Sequence, residues 1–170
     1  MPSIILLAMH GTPPNDFPKN ELAEFFELRG RLKRAGEAAS ALTDRHAELD
    51  AKIRRWPRTP ENDPFHAGSR ELAAHLSRET GTEIVIGFNE FCAPDMDEAL
   101  DSAVGAAGPS GRIVVVTPMM TRGGEHAKSD IPASIRKARL RHPRAEFIYA
   151  WPFEFQEVAR FLSSQIKSFL

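Results

Sequence analysis

The sequence is short of several things, and each shortage closes off a class of function. It has one cysteine, Cys92, which excludes an internal disulfide and a zinc site built on several thiolates. It has almost no charge imbalance, since 22 Lys and Arg stand against 23 Asp and Glu. No global field then draws the chain to nucleic acid or to anionic lipid, and neither is expected as a partner. Long hydrophobic runs are missing too: stretches such as Ile113 to Val116 are far too short to span a bilayer. Met1 begins no basic segment leading into a secretory core, so a soluble, cytoplasmic protein is expected. Gly123-Gly124 lacks the glycine spacing and the Lys-Ser/Thr ending of a P-loop, and no G-x-G-x-x-G follows the first apolar run. The G-x-S-x-G elbow of serine hydrolases does not occur either.

What is there suits one globular domain over residues 1–170, because 42% of the 170 residues are hydrophobic and can enclose a core. The run Ser3 to Met9 is continuously apolar, not alternating, which marks a strand covered on both faces as in a parallel sheet. Comparable runs are Glu83 to Phe88 and Arg112 to Thr117, with a weaker fourth at Glu146 to Trp151. Helical patterns lie between them. Asp95 to Ala107 follows Pro94 and closes near Gly108, and Ile131 to Arg141 has Pro132 in its first turn. Phe155, Val158, Ala159, Leu162, Ile166 and Leu170 recur at spacings of three and four as one stripe of a final amphipathic helix. Strands alternating with helices predict an α/β architecture, a four-stranded parallel sheet with helices on both faces.

The first crossover is too long: about 70 residues separate the first two strands where one helix and two loops need roughly 30. An inserted helical hairpin at about 20–60 accounts for the excess. Leu22, Phe25, Phe26 and Leu32 mark one helix, and Leu42, His46, Leu49, Ile53 and Trp56 a second. Pro57, Pro60 and Pro64 then break the pattern before Phe65 to Arg78 supplies the expected crossover helix. The hairpin is expected to pack against the domain, with a lid or an assembly arm as its other role.

In an open parallel sheet, ligands collect beyond the carboxyl ends of the strands. The first strand ends at His10, the second runs into Asn89-Glu90, and the third leads through Thr117-Pro118-Met119-Met120 to Gly124-Glu125-His126. Two imidazoles and a carboxylate thus reach one edge, a donor set that suits a borderline divalent ion such as cobalt, nickel, ferrous iron or zinc. His46, His66, His75 and His142 fall in helices or helix ends and are read as packed or solvated, and Cys92 as a small buried side chain.

His10-Gly11, Gly87-Phe88-Asn89-Glu90-Phe91 with Pro94, and Val114-Val115-Val116-Thr117-Pro118 leading to Gly124-Glu125-His126 and Asp130-Ile131-Pro132 resemble the small sirohydrochlorin chelatases of the CbiX and SirB type. Their relatives include the cobalt chelatases and, more remotely, the ferrochelatases. The likeness covers roughly residues 1–16 and 65–170, and its most specific part runs from Gly124 to Pro132. It implies a chelatase-like three-layer fold and insertion of divalent cobalt, iron or nickel into a sirohydrochlorin-like tetrapyrrole without ATP. The metal is then a substrate, and no tightly bound cofactor is expected. The family's metal-binding histidines fall on His10 and His126 and its strand-end glutamate on Glu90, all three being the implied catalytic and metal-binding residues. Ala93 stands where family members commonly carry a second glutamate, and the insertion at about 20–60 is absent from the short members. A planar, polycarboxylate ring needs apolar walls and cations, for which Met9, Phe88, Met119, Met120, Arg122 and Lys128 are the candidates. Longer chelatases hold two such units in one chain, so a homodimer is expected here. A non-enzymatic tetrapyrrole or metal carrier is the leading alternative, and a hydrolase or phosphatase using His10 is a third reading.

Overall fold

A computed structural model of the chain describes residues 2–35 and 40–170, with the side chains of residues 35 and 40 left aside. Its elements are β1 (Ser3–Met9), α1 (Lys19–Ala35), α2 (Ser40–Arg54), α3 (Pro64–Thr80), β2 (Ile84–Phe88), α4 (Met96–Ala107), β3 (Arg112–Val116), α5 (Ile131–Arg141), β4 (Glu146–Tyr149) and α6 (Phe155–Lys167). A π-helical turn, His126–Asp130, runs directly into α5. The expected strands and helices all form, with ends displaced by up to three residues. Capping chemistry explains two of those ends. Asp95 is the N-cap of α4, in a capping box with Glu98. Asp63 caps α3 by accepting from the His66 backbone N–H at 2.9 Å, with Pro64 in the first turn.

All strand pairings are parallel, in the order β2-β1-β3-β4. β1 therefore sits inside the sheet, with Met9 opposite Phe88 of β2 and Leu7 opposite Val116 of β3. Alternate residues feed two separate cores. Ile4, Leu6, Ala8, Ile113, Val115 and Phe147 pack under α4 and α5. Leu7, Met9 and Phe88 pack on the opposite face with Ala73 of α3. Helices thus cover both faces, as expected, although α3 reaches only the β2 side and Ile148 of β4 stays 38% exposed.

The long first crossover does contain a hairpin. α1 and α2 enclose a third core of Phe17, Phe25, Leu28, Leu49 and Ile53, closed by Phe91 from the loop after β2. Lys52 and Arg45 of α2 pair with Glu21 and Glu24 of α1 at 2.6 and 2.8 Å. The turn of the hairpin, 36–39, lies outside the described residues. α2 stops at Arg54, so Trp56 follows the helix, donating its indole N–H to Asp16 at 2.9 Å. The last helix forms as its periodicity predicts, but α6 buries none of its residues and leaves Phe155, Phe161, Leu162 and Ile166 half exposed. Among the described residues, no helix is long and apolar enough to cross a membrane.

Candidate metal centre

The carboxyl edge of the sheet is built by prolonging the β1–β2 ladder past its last strand residues. Asn89 N–H donates to the Met9 carbonyl at 2.9 Å and Glu90 N–H to the His10 carbonyl at 2.8 Å. His10 and Glu90 become neighbours by backbone pairing alone. Gly11 makes this possible: its φ is +96°, and a Cβ there would lie 1.8 Å from the Glu90 carbonyl oxygen. Phe91 also takes a positive φ of 59°. That turn sends its ring into the hairpin core, while Arg54 and Arg58, from the end of α2 and the segment after it, hold the loop's carbonyls. Arg54 donates to Cys92 and Asn89 at 2.9 and 3.3 Å, and Arg58 to Phe91 at 2.5 Å.

His126 opens the π-helical turn. Tyr149, at the end of β4, donates its hydroxyl to the Ala127 carbonyl at 2.8 Å, and Trp151 donates to Met119 at 3.3 Å. The result brings His10, Glu90 and His126 together, with one ligand atom of each lying within 4.8 Å of the others. The imidazole rings meet edge to face, centroids 4.6 Å apart, and His126 Nε2 lies 4.0 Å from Glu90 Oε1. Ligands on one tetrahedral ion of this kind sit roughly 3.5 Å apart, so small side-chain rotations would close the set on an ion.

The second ring nitrogens fix the first. His10 Nδ1 is 2.9 Å from the Gly11 carbonyl, which can only accept, so Nδ1 carries a proton and a neutral ring presents its lone pair at Nε2. His126 Nδ1 is 2.6 Å from Asp130 Oδ2; a neutral ring donates there and again leaves Nε2 as ligand. Two oriented imidazoles and one carboxylate oxygen suit a borderline divalent ion. Burial raises the Glu90 carboxyl, but the hydrogen bond and charge of Arg29, with smaller contributions from His126 and His10, outweigh it and hold the group below the usual carboxylate range. Arg29 comes from α1, so the insertion reaches the site itself.

Residues 62–168 match the profile of the CbiX family. The chain belongs to the CbiX family. The matched span contains Glu90 and His126, while His10 lies before it. Sirohydrochlorin cobaltochelatase of Priestia megaterium is 29% identical over 99 residues, which are 57% of this CbiX chain but only 31% of that relative. The chain thus spans about a third of the relative's length. Among solved structures, the sirohydrochlorin chelatase SirB from Bacillus subtilis subspecies spizizenii, in complex with cobalt, aligns at 19% identity and a TM-score of 0.43, covering 89% of this chain and 44% of its own. The cobalamin (vitamin B12) biosynthesis CbiX protein of Marinobacter aquaeolei VT8 aligns at 17% identity and a TM-score of 0.47, over 98% of this chain and 96% of its own.

Two of the residues expected as cleft walls in this CbiX chain are not available for that role. Met9 and Phe88 are only 5% and 1% exposed. Both belong to the core under α3, where Phe88 stacks on His66 at 5.4 Å, because strand alternation turns them into the sheet's face and not past its edge. Met119 and Met120 are half-buried on the loop after β3, while Arg122 and Lys128 are exposed. Arg122 leans over the Phe155 ring of α6 at 4.8 Å. Ala93 is exposed and borders clefts beside His66 and Asp95, not the one at Glu90. The remaining histidines fall as expected: His46 stacks on Phe25 at 4.6 Å, His142 meets Asp101 at 2.8 Å, and His75 is exposed. Cys92 is buried. Three contributors had no role in the sequence reading: Arg29, Asp130 as the orienter of His126, and Tyr149. Asp130 had a visible signal, four residues after His126 and able to reach it within one helical turn.

Proposed function

We propose that this chain is a tetrapyrrole metal chelatase that inserts divalent cobalt, iron or nickel into sirohydrochlorin or a closely related macrocycle without ATP. The convergence of His10, Glu90 and His126, with both Nδ1 atoms already engaged, carries the reading. Metallation must strip water from the ion, present it to one face of the ring and remove two pyrrole protons. Three weakly held ligands answer the first two needs, because neutral nitrogen and carboxylate donors bind such ions without locking them. They answer the third as well. Each ligand released as the ion passes to the ring regains an unshared lone pair beside an N–H, so the site becomes a base as it surrenders the metal. The protons leave through the same side chains to water, and charge balances: one divalent ion enters and two protons depart.

Half-buried Met119 and Met120 offer apolar contact to the ring, and the exposed cations Arg122 and Lys128 suit its carboxylates. The name carried by the Priestia relative supports both the tetrapyrrole and cobalt. A cytoplasmic setting is part of the proposal, supported by the free buried cysteine. So is one unit over residues 1–170 that pairs with a second copy. The bare apolar side of α6 begins at Phe155, against the Arg122 of the site loop, so a partner covering it would also wall the cleft. Light scattering should then give about twice 18.9 kDa at micromolar concentration, and a monomer refutes the pairing.

The deciding experiment follows the absorbance of sirohydrochlorin mixed with the protein and each metal. Multiple turnovers in the wild type, abolished in folded His10→Ala and His126→Ala and slowed in Glu90→Gln, are expected. Metallation that stops at one equivalent would make the chain a carrier. Wild-type turnover in both histidine variants would overturn the site.

A further inference from the structure

The carboxylate of the metal site already has a cation, and that cation comes from the insertion. Arg29 Nη2 bonds Glu90 Oε1, the same oxygen that lies 4.0 Å from His126 Nε2. An ion held by both imidazoles and this oxygen would have to draw on the acceptor that the guanidinium already uses. We propose that Arg29 is a resident counter-ion which the incoming divalent metal must displace from Glu90, so that the inserted hairpin sets how tightly the site holds its ion. The inference rests on the metal site proposed above and adds a positioning residue that acts through Glu90.

Three observations favour competition over a merely structural pin. First, the hairpin is fastened to the loop after β2 without Arg29, by Phe91 in its core and by Arg54 and Arg58 on the carbonyls of Asn89, Phe91 and Cys92. Second, Arg29 has a single ionic anchor. Its side chain is 34% exposed, and Glu90 is its one ion-pair partner among the described residues. Third, there is somewhere for it to go. Arg29, Asp50, Arg54 and Glu90 line one cleft of about 260 Å³ between the hairpin and the site. Asp50 gives only its Oδ2 to Arg54, at 2.7 Å, which leaves its other oxygen as a second acceptor for the displaced guanidinium.

The consequence follows from charge. Two neutral imidazoles and one carboxylate leave a bound divalent ion with a net positive site, and a guanidinium kept within the same cleft opposes it. A chelatase gains from that opposition, because an ion held too tightly is not handed on. Removing the positive charge should strengthen binding and slow transfer.

The test titrates the full-length chain with cobalt(II) alone, reading the visible absorption of the bound ion and confirming affinity by competition with a chromophoric chelator. Arg29→Gln is expected to tighten Kd about tenfold, equal to about 1.4 kcal/mol, with a lower KM for metal and a lower kcat for metallation. Arg29→Lys, which keeps the charge, should stay near wild type. In a Glu90→Gln background, Arg29→Gln should have a much smaller effect, because the competition for the carboxylate is gone and only the field of a nearby guanidinium is left. Unchanged or weaker cobalt binding in Arg29→Gln overturns the inference, and so does a tenfold effect that persists undiminished in the Glu90→Gln background. Cobalt binding lost in His10→Ala but indifferent to Arg29 sinks this inference alone. A wild-type chain that binds no cobalt removes the metal site and this inference together.

Discussion

Replacing Gly11 with alanine adds one carbon to the protein, yet the cost should be large and should fall on the site. The added Cβ would sit 1.8 Å from the Glu90 carbonyl oxygen and 2.9 Å from its carbon, far inside contact distance. No side-chain rotation relieves it, because the opposing atoms are backbone. A φ of +96° costs a residue with a Cβ about 1–2 kcal/mol. Moving the Glu90 carbonyl aside breaks the Cys92 N–H bond to it, 2.7 Å long, and strains the bond of 2.8 Å from Glu90 N–H to the His10 carbonyl. Each is worth about 0.5–1.5 kcal/mol net, so the total loss is roughly 2–5 kcal/mol, or about 4–20 °C in Tm for a chain of this size. Because the displaced atoms carry the backbone of Glu90, cobalt affinity should fall in the same variant. Thermal unfolding and cobalt titration on one preparation check both halves. A Tm within about 2 °C of wild type, with unchanged affinity, would refute the claim that His10 and Glu90 are brought together by a close approach that only glycine allows.

Asp130→Asn should weaken cobalt binding about tenfold, at the lower end of the effect of losing a partner that orients a ligating histidine, since Asp130 is 49% exposed; chelator competition reads it. Arg58→Ala should cost about 3–5 kcal/mol in urea unfolding, because Arg58 and Asp63 form an ion pair only 8% and 0% exposed, and removing one partner strands the other. The single tyrosine, Tyr149, gives a direct pH test: burial raises its hydroxyl from 10.0 to about 12. The folded chain holds this proton more tightly than the unfolded one. Its contribution to stability is therefore intact below about pH 10 and is lost as pH rises towards 12. Near-ultraviolet phenolate absorbance should show the higher midpoint in the folded protein alone, and Tyr149→Phe should reduce the alkaline loss, leaving the share of the buried Cys92 thiol, which burial also raises. A midpoint shared by both states would refute the burial of the Tyr149 hydroxyl beside the site loop.

The parallel sheet was legible because its strands are continuous apolar runs and the intervening helices carry their own caps. The same continuity hid which residues face which way. In an alternating strand, Met9 and Phe88 would have declared a face; in Ile4-Ile5-Leu6-Leu7-Ala8-Met9 every position is apolar, and two core residues were read as walls of a cleft. His10, Glu90 and His126 could be found since strand ends converge on one edge whatever the loops do. Arg29 could not. It lies 61 residues from Glu90 on a helix with many cations, and only the way the hairpin folds back on the loop after β2 singles it out. The stripe of α6 was equally plain in sequence, but periodicity reports an amphipathic helix and not the surface that covers it.

The separation of the three cores has a consequence for how this protein can change over time. Under α4 and α5, under α3, and inside the hairpin, the buried sets share no residue, and Phe91 alone is lent by the sheet side to the hairpin. Substitutions that refill the hairpin can accumulate without disturbing the pairing of β1 with β2 and β3. Among the described residues, Phe91 is where that core meets the rest of the molecule, directly next to Glu90, on the same loop that Arg29, Arg54 and Arg58 hold by polar bonds. Mutational drift in the appendage is thus directed away from the scaffold and towards Glu90, the carboxylate of the proposed metal site, so that a lineage could alter that site while inheriting the sheet intact.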